Sequence, residues 1–446
     1  MVEQVLNNEN SVINEGIRKE VLIVHDDLNV CGGSERLAVT TIETLAQIGF
    51  NVDLATFTIP DVAKVQRQFG INVTGSIRKI HFTNLYSVLN MEGVLLDVNT
   101  DSYDLVMNTH ADLLPFYEKH NNNDTAIKGK KSKINLTYCH YPLLPYQIRN
   151  GLYKTFLEKC IPDISSFSLD KLFAKASSQY NLMMNNNTII TNSTFSAKAI
   201  KQLYHNVDPI VISPPVDTDK FCKANLSYRS SYDKKQNMLL VVSRFSADKE
   251  IENAITLANL LKDKCLRGKI QKIKMVIAGN FSELNYKYVR FLEKMILDYG
   301  LQDYVELVFG ASFDRLLDLM KKSKVYFHPL AGEPFGIAIL EAMASGLIPV
   351  VPTIGGSSEF VPSEYQYDTI QQAEDIIANI LNEINYDNAL VRSEKIINIA
   401  SKFSIENYKK NLNNITDYVI KTSKVEEAVI LNKRQTRLSE TIRRSV

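Results

Sequence analysis

The chain repeats one pattern: a short apolar run without polar alternation, a loop, then a stretch with helical spacing. Val21-Leu22-Ile23-Val24 is the clearest such run, and Val52–Phe57, Asp104–Thr109 and Ile134–Cys139 continue the series. Thr188-Ile189-Ile190-Thr191 belongs with them, and Lys274–Gly279, Val305–Phe309 and Val325–His328 extend the series through the second half. A strand apolar on both sides has to be covered on both faces, the condition of a central strand in a parallel sheet. Strands alternating with helices therefore predict α/β architecture built on doubly wound parallel sheets. Ligands of such sheets lie outside the carboxyl ends of the strands, and candidate residues are expected there.

A length of 446 residues, 45% hydrophobic and 23% charged, predicts two globular domains. Pro214-Pro215 stiffens the chain near its middle and marks the expected boundary. The expected parts are a loose leader over 1–19, a first domain over 20–215, a second over 216–402, and a closing helix with a basic tail over 403–446. A formal charge of +1, without a basic aromatic patch, argues against a nucleic-acid partner. Five cysteines, odd in number and without C-x-x-C spacing, are read as free buried thiols in a reducing compartment. No run of 18 apolar residues occurs and the first twenty residues are polar, so a cytoplasmic protein, soluble or peripheral on a membrane, is expected.

The chemistry is placed in the stretch from Gly332 to Gly346. From Ile337 the spacing turns helical, with Ile337, Leu340, Met343 and Ala344 on one side, so Glu333, Pro334, Phe335 and Gly336 lie at the turn into a helix. The first N–H groups of that helix favour an anion such as a diphosphate. Glu333 and Glu341 bracket this position. A carboxylate repels a diphosphate unless it faces hydroxyl donors on the same ligand, which points to a sugar nucleotide. Read alone, the two glutamates also fit plain dipole partners on a solvated surface.

Other strand ends add candidates. Cys31-Gly32-Gly33-Ser34 is a glycine turn into a helix, with Ser34 as the expected cap, and Gly32 and Gly33 let backbone approach a ligand closely. His140 and His110 follow strands, His140 being the preferred site residue and His110 a packing one. Residues 143–187 read as a helical insert whose lysines and apolar groups fit a membrane surface or, the commoner case, an amphipathic pair packed on its own domain. The basic residues of the tail, Lys433, Arg434, Arg437, Arg443 and Arg444, fit anionic lipid or a solvated end.

The Glu333–Glu341 spacing resembles the E-x7-E motif of retaining glycosyltransferases of family 4, and the resemblance runs in order from Val21 to about Val361. Val241-Val242-Ser243-Arg244-Phe245-Ser246-Ala247-Asp248-Lys249 is similar to the family's strand and loop that carry an Arg and a Lys to the donor phosphates. Gly346–Val351 and Gly355-Gly356-Ser357-Ser358-Glu359 resemble its closing strand and glycine turn. Tyr138-Cys139-His140-Tyr141-Pro142, Thr188–Ser196 and Val211–Asp217 are similar to the mannosyltransferases that extend dolichol-linked oligosaccharide. One departure is visible: the family often has glycine after the lysine, where this chain has Glu250, which could alter the loop's backbone.

The resemblance implies a GT-B fold, two Rossmann-like domains facing a cleft, and transfer of a hexose with retention. It implies Glu333, His140, Arg244 and Lys249 as catalytic residues, and Glu341, Pro334, Phe335, Gly336, Ile337, Gly32 and Gly33 as donor-binding. GDP-mannose is the first choice of donor, with UDP-glucose or another UDP-hexose next, and the acceptor is a glycan or lipid-linked oligosaccharide. No cofactor and no metal are implied: Asp217-Thr218-Asp219 spells D-x-D, but it falls at a linker where the family has a similar Val-Asp sequence. An epimerase or phosphorylase of the same shape, or a non-catalytic sugar-nucleotide-binding subunit, remains the alternative.

Overall fold

The computed structural model describes residues 19–82, 100–111, 134–143, 145–146, 169–225, 235–383 and 385–422. The expected leader, most of the 143–187 insert, Cys160 and the basic tail lie outside the described residues. The strands are β1 (Glu20–Val24), β2 (Asn51–Thr56), β3 (Ile77–Phe82), β4 (Leu105–Asn108), β5 (Ile134–Cys139), β6 (Thr188–Thr191) and β7 (Ile210–Val211) in the first half. In the second they are β8 (Met238–Val242), β9 (Lys274–Gly279), β10 (Val305–Phe309), β11 (Val325–Phe327), β12 (Ile348–Pro352) and β13 (Gln366–Tyr367).

Two parallel sheets result, ordered β3-β2-β1-β4-β5-β6-β7 and β10-β9-β8-β11-β12-β13. This is the GT-B arrangement of two α/β units. In each sheet the strand order reverses beside its first strand, between β1 and β4 and between β8 and β11. At a reversal the neighbouring loops leave in opposite directions and open a crevice at the strands' carboxyl ends. Both crevices matter below.

Each sheet has its own core. Val21, Ile23, Leu37, Leu54 and Met107 are buried in the first, and Leu240, Ile277, Tyr326, Leu340 and Val350 in the second. Four helices bear on the crevices: α1 (Gly33–Gln47), α2 (Thr194–Leu203), α3 (Ile337–Ala344) and α4 (residues 405–422). The last follows the second sheet in sequence but packs on the first, where Tyr408, Leu412, Ile415 and Val419 join the core. Tyr408 Oη lies 2.6 Å from Thr41 Oγ1, and Lys409 reaches Glu43 at 2.9 Å. Where the chain leaves the first sheet and where it returns, Val216 and Ser404 pair as a parallel bridge, with Val216 N–H donating to Phe403 O at 3.1 Å.

Two expectations need correction. Ser34 does not cap α1. The helix starts two residues earlier, at Gly33, and Glu35 accepts the backbone N–H of Gly32 at 2.5 Å while Ser34 Oγ donates to Glu35 Oε1 at 2.7 Å. Of the four described cysteines, all free, Cys139 alone is buried; Cys31, Cys222 and Cys265 are partly exposed. Cys31 sits at φ 58° beside the glycine turn, partly buried at the margin of the first core. Glu250 sits at φ 48° and ψ 43°, the left-handed conformation that glycine adopts without strain.

Candidate active site

The turn after β11 is built around two glycines. Gly336 at φ 96° breaks the extended backbone and caps α3. Gly356 comes so close from the loop after β12 that a Cβ there would lie 2.0 Å from Pro334 O. Gly356 N–H donates to Glu333 O at 2.8 Å, and Gly332 N–H to Ile354 O at 2.8 Å. The Glu333 turn is thus stitched to the Gly355-Gly356 turn by backbone. Its side chains are left to other work.

Lys249, in the loop after β8, and Glu333, after β11, meet across the second reversal, Nζ to Oε2 2.9 Å, with side chains 20% and 17% exposed. His328 Nε2 is 3.7 Å from the same oxygen. Burial by itself would raise the Glu333 carboxyl, but Lys249 and then His328 outweigh it and hold the group well below the usual carboxylate range. Glu341, one turn into α3, behaves oppositely. Burial pushes its carboxyl upward and Asp217 adds to that, against the pull of Arg36 and Lys220. Arg36, on α1 of the other sheet, reaches it across the cleft, Nη2 to Oε1 3.3 Å.

Further contacts close the two halves on this turn. Gly33 touches Ile337, whose Cδ1 would be 2.7 Å from a Cβ at Gly33. Ser193 Oγ donates to Pro334 O at 2.7 Å. Glu359 accepts the first N–H groups of α2, from Thr194 at 3.0 Å and Phe195 at 2.6 Å, so a carboxylate of one half neutralises a helix start of the other.

Most of the expected site residues therefore converge: Glu333, Lys249, Pro334, Gly336, Ile337 and Gly33 in direct contact around the turn, and Glu341 a turn further. Arg244 is not drawn in with them. Its guanidinium is 69% exposed and faces Asp248 at 3.5 Å. Phe335 directs its side chain into the core against Phe360 and Phe403, centroids 5.5 and 5.9 Å away, leaving its backbone at the turn. His140 stands at the first reversal, Nε2 3.2 Å from Thr109 O. Burial, helped by His110, lowers it to about 3, so it is neutral near pH 7. Asp217 accepts Lys220 N–H at 3.2 Å, the behaviour of a helix cap, and belongs to no cluster that could hold a metal among the described residues.

The sequence reading passed over Arg36, His328 and Glu359, and with them His25, Asp26 and Glu35 in the first crevice. His25 is fully buried, its Nδ1 3.0 Å from Thr109 Oγ1 and its ring stacked on His110 at 5.3 Å. Asp26 Oδ1 meets His110 Nδ1 at 2.6 Å. His25 and Asp26 directly follow β1, so the rule that drew attention to His140 would have found them.

Among known proteins, the family model for glycosyl transferases group 1 matches residues 224–395. The chain is 27% identical over 270 residues to the GDP-Man:Man(3)GlcNAc(2)-PP-Dol alpha-1,2-mannosyltransferase of Dictyostelium discoideum, covering 58% of this chain and 47% of that one. It is 23% identical over 395 residues to an alpha-1,3/1,6-mannosyltransferase of Saccharomyces cerevisiae, covering 78% and 72%. The chain thus spans about half the length of the first relative. In structure it is similar to Anabaena HepE solved with UDP and glucose, TM-score 0.62 at 15% identity over 90% of this chain and 100% of that one. It is also similar to sucrose-phosphate synthase of Thermosynechococcus elongatus, TM-score 0.63 at 14% identity over 91% and 100%. These two likenesses establish the two-lobed fold.

Proposed function

We propose, from the premise that residues 224–395 of this chain are a glycosyl transferases group 1 domain, that the protein is a retaining, metal-independent hexosyltransferase moving mannose from GDP-mannose to a lipid-linked glycan. The observation that carries this reading is the Glu333 turn. One carboxylate, held ionised by Lys249, and a second, buried one a turn into α3 flank the N–H groups of Gly336 and Ile337. The choice of GDP-mannose and of a dolichol-linked acceptor rests on what the relatives' names state for those proteins.

The diphosphate would lie at the start of α3, where helix N–H groups and dipole favour it. Glu333 would accept hydrogen bonds from sugar hydroxyls and Glu341 from the ribose, taking the place of the Arg36 contact. As the glycosidic bond breaks, negative charge grows on the leaving phosphate. Lys249 is at hand for it and Arg244, exposed at the cleft, is free to swing in; cations that gain strength in that state are what accelerate transfer. Retention through a covalent intermediate needs a nucleophilic carboxylate beneath the anomeric carbon. Glu333, engaged by Lys249, is a blunted nucleophile, which favours same-face substitution with the leaving phosphate oxygen taking the acceptor's proton. Neutral His140 would border the sugar without attacking it.

The test is thermal unfolding of the purified chain across GDP- and UDP-sugars, because a ligand of the folded state raises its apparent stability, followed by product analysis. GDP-mannose is expected to stabilise most, and an α-linked product to form with no divalent cation added to the assay. Stabilisation by UDP-hexoses alone would move the donor assignment. Conversion of donor without acceptor would make the protein an epimerase, dependence on inorganic phosphate a phosphorylase, and binding without turnover a non-catalytic subunit.

A further inference from the structure

The first crevice holds a group of side chains that the transfer reaction does not use. His25, Asp26, Glu35 and His110 each place one ring nitrogen or carboxylate oxygen within 4.8 Å of all the others. The two carboxyl groups sit against a fully buried imidazole.

Thr109 holds the other side of the His25 ring, its Oγ1 3.0 Å from Nδ1. Nε2 is buried without a hydrogen-bond partner, yet it lies 3.4 Å from Asp26 Oδ1 and 3.5 Å from Glu35 Oε1. A cation seated here would give this nitrogen a partner and offset both carboxylates at once. Four donors at zinc distances of about 2.0–2.1 Å form a tetrahedron with edges of about 3.4 Å. Both His25 distances have that length. The His110–Asp26 contact at 2.6 Å is a hydrogen bond shorter than such an edge, and it would open by less than 1 Å on exchange for a metal.

We propose that His25, Asp26, Glu35 and His110 form a binding site for a zinc-class divalent transition cation. The ion is structural: it lies on the first half, behind the Gly32-Gly33 turn that Glu35 ties down through Gly32 N–H, and takes no part in holding donor phosphate. Thr109 on His25 and Ser34 on Glu35 supply the outer hydrogen bonds that orient ligands of such an ion. Through the edge contact of His110 with His140, centroids 5.8 Å apart, it also fixes the histidine nearest the cleft.

The experiment uses the full chain without an affinity tag, stripped with chelator, dialysed against Zn²⁺ and analysed for metal by mass spectrometry, with Co²⁺ as a spectroscopic probe. One zinc per chain and the intense visible bands of four-coordinate cobalt are expected. His25→Asn, and Asp26→Asn as a second variant should the first not fold, are expected to weaken uptake at least about tenfold. No uptake by the folded parent would overturn the proposal. Uptake unchanged in both variants would overturn it as well, because the metal then sits elsewhere. None of these readouts depends on donor or acceptor.

Discussion

Replacing Lys249 by Met keeps the aliphatic stem and removes the ammonium, leaving Glu333 a buried anion beside the His328 ring. Breaking a buried ion pair by deleting one partner costs about 3–5 kcal/mol. Both side chains here keep roughly a fifth of their exposure, which lets water relieve part of the orphaned charge, so about 2–3 kcal/mol is expected. Adding Glu333→Gln removes that charge, and Lys249→Met/Glu333→Gln is expected within about 1 kcal/mol of the parent, more stable than Lys249→Met alone. Transfer behaves differently. Each single variant loses a charge-assisted contact of about 1.5–3 kcal/mol to the reacting donor, so each is slowed on the order of 10- to 100-fold or more, and the double variant regains nothing. Urea unfolding followed by initial rates of mannose transfer measures both. Full stability and normal transfer in Lys249→Met, or a double variant no more stable than the single, would refute the reasoning.

Other outcomes follow from single contacts. Gly356→Ala drives a methyl into Pro334 O, and the displaced Glu333 turn is expected to cut transfer at least about tenfold with the fold retained, read by circular dichroism and rate. Glu250→Gly is expected to leave stability unchanged or slightly raised, whereas Glu250→Val, β-branched in a left-handed position, loses about 1–2 kcal/mol in urea unfolding. Burial first, then Lys324, lower the Lys235 amine to about 7. The unfolded chain holds that proton up to about pH 10.4, so stability rises with pH between about 7 and 10, by at most about 1.4 kcal/mol per unit, and Lys235→Met is expected to flatten this segment in unfolding curves. Arg36→Met frees Glu341 and is expected to alter donor affinity more than the rate at saturation, separable by KM against kcat.

The central strands were legible in the sequence because burial on both faces leaves an unbroken apolar run. β3 was not: Ile77–Phe82 lies at a sheet edge and is half covered, so its apolar residues alternate with Arg78, Lys79 and His81. β7 and β13, two residues each, are too short to show any period. At the site, the two motif glutamates could be read because one turn and the helix after it carry both, and Lys249 because its loop resembles the family's. Arg36 with Glu341, and Glu359 with the start of α2, come from opposite sheets, and no local pattern announces such pairs. The cap of α1 was misplaced because serine is the commoner signal, whereas Glu35 does the same work from inside the helix.

The bridge between Val216 and Ser404 means that, among the described residues, the polypeptide crosses from one lobe to the other twice at a single place. Two adjacent crossings leave one easy axis of rotation and resist twist and slide, so the lobes can part and meet again on the same facing groups, Gly33 on Ile337 and Ser193 on Pro334. A cut at either crossing would remove that guidance while leaving both sheets intact, and the acidic pair around the turn would then lose its fixed distance from the glycine turn opposite.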